Sequence, residues 1–245
     1  GQLLRLGVSK HRPHANRLLR DLRAGPKPLV GRTNYPTDPK RGKLESIHHL
    51  TPAGFQVLRE LQLTEHLPPT GAQAYKDYYH RVHTIDIHIA FWEYCRTFGL
   101  DLVVWTNYFD RARGEAATAL RLSDGSDLLP DALAVVGQDR KAFLFAIEMY
   151  NGQDVTRTMR QLRKHVQGLA DGAVAAAYNL EKNHYVLCVF EVEALMASVQ
   201  KAVAADDYFA KSLDYFGFKT LQSIRTAEPP PDTWLRASGS PLVLW

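Results

Sequence analysis

The sequence predicts an α/β protein with a mixed central sheet, preceded by a small winged helix–turn–helix domain. Three observations carry this expectation. Two apolar runs, Leu129–Val136 and Lys141–Tyr150, flank the polar turn Gly137-Gln138-Asp139-Arg140 and read as a hairpin of buried strands. A further apolar run, Tyr185–Phe190, follows an amphipathic helix and precedes another, an alternation that builds a sheet covered by helices. Ahead of these, residues 1–70 repeat the order helix, turn, helix, wing, helix. The expected division is therefore 1–70 and 71–245, with the boundary at Leu67-Pro68-Pro69-Thr70-Gly71, where two prolines and a glycine stop one helix and open a new segment.

Taken in order, Gln2–Leu6 reads as the end of one helix, with Gly7 supplying a turn and Ser9 placed to cap the second helix. That helix is His14–Ala24, with Leu18, Leu19 and Leu22 inward and Arg17, Arg20 and Arg23 outward. The polar excursion Gly31–Lys43 makes a wing whose tip carries Arg32, Lys40, Arg41 and Lys43. Thr51 and Pro52 then open a helix as N-cap and first helical residue. The basic face made by Arg12, Arg17, Arg20, Lys40, Arg41 and Lys43 fits the phosphates of DNA, while a solvated face on a protein-binding module is the alternative.

From Ala72 to Phe98 the chain has neither Pro nor Gly and shows a helical period. At about 100° per residue, His83, Asp86, Ala90 and Glu93 fall within an arc of about 80°, between two apolar faces. A polar stripe so flanked is expected to face a cleft; alternatively, Asp86 simply orients His83, and Glu93 lies at the surface. His80 and His88 read as structural, or His80 as a phosphate contact. Beyond the helix, Leu100–Tyr108 and Ala117–Leu122 read as strands. Asp154 caps a helix whose apolar stripe is Val155, Met159, Leu162, Val166 and Leu169, and whose other side carries Arg157, Arg160, Arg163 and Lys164. Tyr215–Leu221 is expected at a sheet edge, before a proline run and a tail holding Trp234 and Trp245.

The hairpin concentrates the chemistry. Asp131 enters its first strand and Glu148 lies near the end of its second, so antiparallel pairing sets the two carboxylates side by side. Like charges held close need a proton, hydrogen bonds or a cation. A divalent ion on hard oxygen ligands, Mg2+ or Mn2+, would polarise a phosphodiester and acidify a bound water. His83 would serve as third ligand or general base, and Glu93 as a further carboxylate. The formal net charge of +4 permits an anionic partner without demanding one. Positive charge is dense over residues 5–43 and again over 157–164. Cys95 and Cys188 sit in apolar sequence as reduced thiols, which suits a cytoplasmic protein. No secretory leader or apolar run of about 18 residues is visible, so no membrane span is expected. A nucleophile elbow, a glycine-rich phosphate loop and a cysteine-based zinc set are all absent from the sequence.

Pro130-Asp131 and Glu148 on a strand–turn–strand with a preceding helix resemble the core of PD-(D/E)xK nucleases. Where that family carries its lysine this chain has Tyr150, and Lys164 on the next helix is a possible substitute. A narrower resemblance runs through Leu50-Thr51-Pro52-Ala53-Gly54, His83-x-x-Asp86, Leu129-Pro130-Asp131-Ala132, Phe145-x-x-Glu148 and the basic helix Met159–His165. Together these look like the replication-relaxation family, which includes mobilisation relaxases. The family's acidic Glu-x-Asp is here Glu148-Met149-Tyr150. The resemblance implies metal-dependent nicking of one DNA strand at an origin of transfer, with relaxosome accessory proteins or a second copy of the chain as partners. The alternative is a DNA-binding replication or mobilisation accessory protein with a degenerate nuclease fold. Tyr150 beside a metal would be a candidate nucleophile, or a hydrogen-bonding group.

Overall fold

The computed structural model describes residues 1–39, 41–63, 78–112, 115–139, 141–226 and 232–244. The expected boundary at Leu67–Gly71 and the wing residue Lys40 lie outside the described residues. The chain divides into two units, Gly1–Tyr79 with Phe109–Gly114, and His80–Tyr108 with Glu115–Trp245.

In the first unit, α1 (Gln2–Arg5) and α2 (Arg12–Leu22) precede β1 (Val30–Thr33), β2 (Thr37–Asp38), β3 (Gly42–Lys43) and β4 (Ile47–Leu50), and α3 (Pro52–Glu60) follows. β1 and β4 pair antiparallel from Val30↔Leu50 to Thr33↔Ile47, and β2 and β3 pair within the excursion between them. Thr51 caps α3 as its sequence indicates, its side chain accepting from Gly54 N at 3.1 Å, with Pro52 in the first turn. Gly54 is required there, because a Cβ would collide with the carbonyl of Leu29. Two expectations fail. Ser9 Oγ bonds His11 N rather than capping α2, whose N-cap is His11 and which starts at Arg12 rather than His14. Leu18 is not inward: it is 37% exposed, and Ala15 is the buried residue of that helix.

The second unit is mixed α/β. Nearly all of α4 (Tyr78–Phe98) belongs to it, followed by β5 (Asp101–Asn107). β6 (Arg111–Ala112) belongs to the first unit; after the short strands β7 (Glu115–Ala116), β8 (Leu120–Arg121) and β9 (Asp127–Leu128) of the second come β10 (Ala132–Gln138) and β11 (Lys141–Tyr150). Then follow α5 (Val155–Asp171), α6 (Ala173–Ala177), β12 (Tyr185–Phe190), α7 (Glu193–Ala205), β13 (Phe216–Thr220), α8 (Leu221–Thr226), β14 (Thr233–Leu235) and β15 (Pro241–Val243). Seven strands form one mixed sheet in the order β15-β14-β13-β12-β11-β10-β5. β5, β10 and β11 are antiparallel; β11, β12 and β13 are parallel; β13, β14 and β15 are antiparallel.

The parallel centre explains the continuous apolar runs of β11 and β12, since both faces of such strands are covered. On one face Ile87, Ala90, Phe91 and Tyr94 of α4 and Leu221 and Ile224 of α8 meet Phe145, Ile147 and Met149. On the other, Met159, Leu162 and Leu169 of α5 and Leu195, Val199 and Val203 of α7 meet Tyr150, Cys188, Phe190 and Phe218. α5 starts where expected, with Asp154 accepting from Arg157 N at 2.9 Å, and it ends at Gly172 in the left-handed region. β13 is interior rather than an edge, because β14 and β15 pair beyond it and Trp234 enters the core instead of a loose tail. The strand expected over Ala117–Leu122 shortens to Leu120–Arg121, paired with Asp127–Leu128. Trp245 lies outside the described residues. Among the described residues no helix is long and apolar enough to cross a membrane.

Candidate functional site

β10 and β11 pair in the expected hairpin, with Ala132↔Ile147 at the end away from the turn. Continuing that register by one residue sets Asp131 across from Glu148. The backbone pins Asp131 from both sides: Tyr108 N donates to its carbonyl at 2.9 Å, and Met149 N donates to Oδ2 at 2.7 Å. Both residues are buried, Glu148 at 3% and Asp131 at 8% exposure.

A histidine attends each carboxylate. His80, at the start of α4, sets Nε2 3.1 Å from Asp131 Oδ2, while its Nδ1 is 3.0 Å from the Tyr108 hydroxyl. His165, on α5, sets Nε2 2.6 Å from Glu148 Oε1. Burial, with the Asp131 charge and a hydrogen bond to Asp131 adding to it, raises the Glu148 carboxyl well above the usual carboxylate range. The same burial drives His165 down to about 3 and holds the ring neutral. Among the described residues neither carboxylate pairs with a Lys or Arg.

The other residues picked out by sequence lie elsewhere in the unit. His83 and Asp86 are buried on α4. Ala90 is in the core, Glu93 is half-buried further along the helix, and Arg225 of α8 covers Asp86. Arg225 donates from Nε and Nη2 to Asp86 Oδ2 at 2.9 and 2.7 Å, and its Nη2 is 3.4 Å from His83 Nδ1. His83 Nε2 is 3.6 Å from Glu191 Oε1. Desolvation, with Arg225 as the second cause, lowers His83 to about 4. The structure thus brings Asp131 and Glu148 together and sets His83 and Asp86 in a second cluster with Glu191 and Arg225.

Tyr150 follows Glu148 by two residues, and its hydroxyl is buried without a hydrogen-bond partner. Burial, with Glu148 and Cys188 behind it, raises its phenol well above the ordinary value, so the group stays protonated in an apolar cluster with Phe190. Lys164 is exposed and donates to the Asp127 carbonyl at 2.9 Å; its neighbour His165 is the α5 side chain that meets Glu148. Neither His80 as an Asp131 partner nor His165 as a Glu148 partner is singled out by sequence. The signal was present in the helical period: position 165 falls on the apolar side of α5 with Leu162 and Leu169, and a histidine among buried residues needs a polar partner.

Of the basic residues, Arg17, Arg20 and Lys43 are exposed, Arg12 pairs with Glu45, and the Arg41 guanidinium lies 4.2 Å over the Tyr79 ring. Arg157 and Arg160 are exposed on α5.

Among the described residues no group of three or more His, Cys, Asp and Glu side chains is arranged to hold a metal ion. Asp131 and Glu148 nevertheless fit a hard divalent cation. They are an opposed carboxylate pair in which burial and the Asp131 charge push the Glu148 carboxyl up, and Mg2+ is commonly held by one or two carboxylates with waters and phosphate completing its shell. No family model, no curated protein and no solved structure matches the chain.

Proposed function

We propose that this chain is a metal-dependent DNA nickase of the mobilisation-relaxase kind, with a PD-(D/E)xK-like sheet domain and an N-terminal winged helix that binds the DNA. The observation that carries the reading is the opposed Asp131–Glu148 pair at the end of the β10–β11 hairpin, without a Lys or Arg partner among the described residues. Asp131 and Glu148 would hold Mg2+ or Mn2+, which supplies Lewis-acid polarisation of a phosphodiester and a more acidic bound water. Met149 N and His80 orient the Asp131 carboxylate. His80 donates from Nε2, which lies 3.0 Å from the Met149 carbonyl and 3.1 Å from Asp131 Oδ2, while its Nδ1 meets the Tyr108 hydroxyl, so its part here is to hold Asp131 in place. Arg12, Arg17, Arg20, Arg41 and Lys43 of the first unit, and Arg157 and Arg160 of α5, would contact phosphates, so binding would weaken steeply with salt.

The test is conversion of supercoiled plasmid bearing the cognate origin to open circles in Mg2+ or Mn2+. Asp131→Ala is expected to abolish nicking while origin binding survives. Loss of DNA retention is expected when the charges of Arg17, Arg20 and Arg41 are reversed. No cleavage of any origin substrate under either metal would reject the nickase.

A second reading is a DNA-binding accessory protein whose nuclease-like site no longer turns over. Tyr150 favours it: a buried neutral phenol stands where the resembling nucleases carry a charged lysine, and Lys164 bonds a backbone carbonyl instead. It predicts salt-dependent DNA binding, insensitive to Asp131→Ala and without nicks.

A further inference from the structure

His165 is wholly buried and lies 2.6 Å from Glu148 Oε1 through Nε2. A neutral imidazole carries one N–H and one bare nitrogen. Its Nδ1 is buried without a hydrogen-bond partner among the described residues. A donor left unsatisfied in the interior carries the full desolvation penalty, so the proton belongs on Nε2, where Glu148 accepts it. That bond occupies Oε1 and leaves the second carboxyl oxygen for the hydrogen bond with Asp131. Behind it lies His184, also wholly buried, with ring centroids 6.4 Å apart. Gly168, one turn along α5, brings that helix close to Leu128, where a Cβ would crowd the Leu128 side chain. His165 is thus delivered to Glu148 by a helix packed too tightly to drift.

We propose that His165, as the Nε2–H tautomer, is the positioning residue of the carboxylate pair. It fixes Glu148 so that Glu148 and Asp131 each offer an oxygen to one shared divalent cation. The assignment rests on reading that pair as a cation site. Supporting hydrogen bonds of this kind orient ligands, and losing one typically costs 10–100-fold in metal affinity.

The test combines Mn2+ titration of the full chain, following free Mn2+ by electron paramagnetic resonance, with two-bond 1H–15N spectra of the metal-free wild type. His165→Ala is expected to weaken Mn2+ binding about 10–100-fold. His165→Gln, which keeps a donor, is expected to restore most of it, and the spectra should show His165 as the neutral Nε2–H form. An Nδ1–H tautomer overturns the positioning role even if His165→Ala fails to fold. Wild-type affinity in a folded His165→Ala does the same, and both results leave the cation reading standing. Absence of Mn2+ binding by the wild type with an Nε2–H ring in place overturns the cation reading, and this assignment with it.

Discussion

Carboxylates are buried at the same end of the sheet on both of its faces, and their charge is balanced by different means. Under α4 and α8, Asp86 is met by the Arg225 guanidinium, and His83 stands between Arg225 and Glu191. At the ends of β10 and β11, Asp131 and Glu148 meet, among the described residues, each other, His80 of α4, His165 of α5 and a backbone N–H, and burial pushes the Glu148 carboxyl well up. Glu191 N bonds the Tyr150 carbonyl, so the two arrangements flank the same strand ends. The lesson concerns compensation. In the first cluster a guanidinium meets the buried carboxylate directly; in the second no Lys or Arg does so among the described residues, and it is there that we propose a cation.

The sharpest way to break this contrast is Glu148→Gln. The amide cannot carry the charge a cation needs, so Mn2+ affinity is expected to fall by about 100-fold or more in titration. The same change removes a buried acid that resists ionisation. Glu148 has a raised folded-state pKa, so its contribution to stability is complete below the unfolded value and is lost as pH rises toward the folded one. At pH 8 the variant is therefore expected to be more stable than the wild type. A variant that loses stability at that pH would show Glu148 to be compensated already, like Asp86.

Arg225→Met addresses the other face. It leaves the buried Asp86 without its guanidinium. Because the Arg225 side chain is 40% exposed and water can enter, a loss of about 2 kcal/mol is expected. In a chain of this size that lowers the midpoint of thermal unfolding by about 4–8 °C. Adding Asp86→Asn should recover part of the loss, and an additive double mutant would show that the pair is not coupled.

Neutral buried histidines make the faces alike in acid. His88 stacks on Trp105 toward α4, and His184 lies beside His165 toward α5; burial lowers each to about 4. The unfolded chain takes up a proton on each below about 6.5, while the folded chain does not until about 4. Their stabilisation is complete above pH 6.5 and is lost as pH falls toward 4, by up to about 1.4 kcal/mol per pH unit per group. Denaturant midpoints measured between pH 7 and 4.5 should fall less steeply in His88→Phe and His184→Leu than in the wild type. An unchanged slope would show that neither ring is held neutral.

How far this contrast could be read from sequence depends on which element carried it. The β10–β11 hairpin was legible because two apolar runs about a polar turn have few alternatives, and antiparallel register then fixes Asp131 against Glu148. Asp154 and Thr51 announced their helices through capping chemistry that acts within three residues. The stripe on α4 was legible as a stripe, but periodicity says nothing of what lies opposite. Arg225, well over a hundred residues further along the chain, supplies the ion-pair partner of Asp86 that the stripe alone does not announce. β13 read as an edge because the short strands β14 and β15 give weak local signals; only their pairing makes it interior. The carboxylate partners of His80 and His165 were illegible for the same reason: each lies on another element.

The smallest expected effect belongs to the residue that sequence offered as the missing cation. Lys164 is adjacent to His165, yet successive helical residues diverge by about 100°, and its ammonium bonds the Asp127 carbonyl at the surface. If the carboxylate pair is indeed uncompensated, Lys164→Gln leaves Mn2+ affinity within about twofold and stability within about 0.5 kcal/mol, the ordinary range for a surface substitution. Mn2+ titration reads the first and chemical denaturation the second. A tenfold change in affinity would mean that the Lys164 charge reaches the pair, and the two faces of the sheet would then differ only in how closely their cation is held.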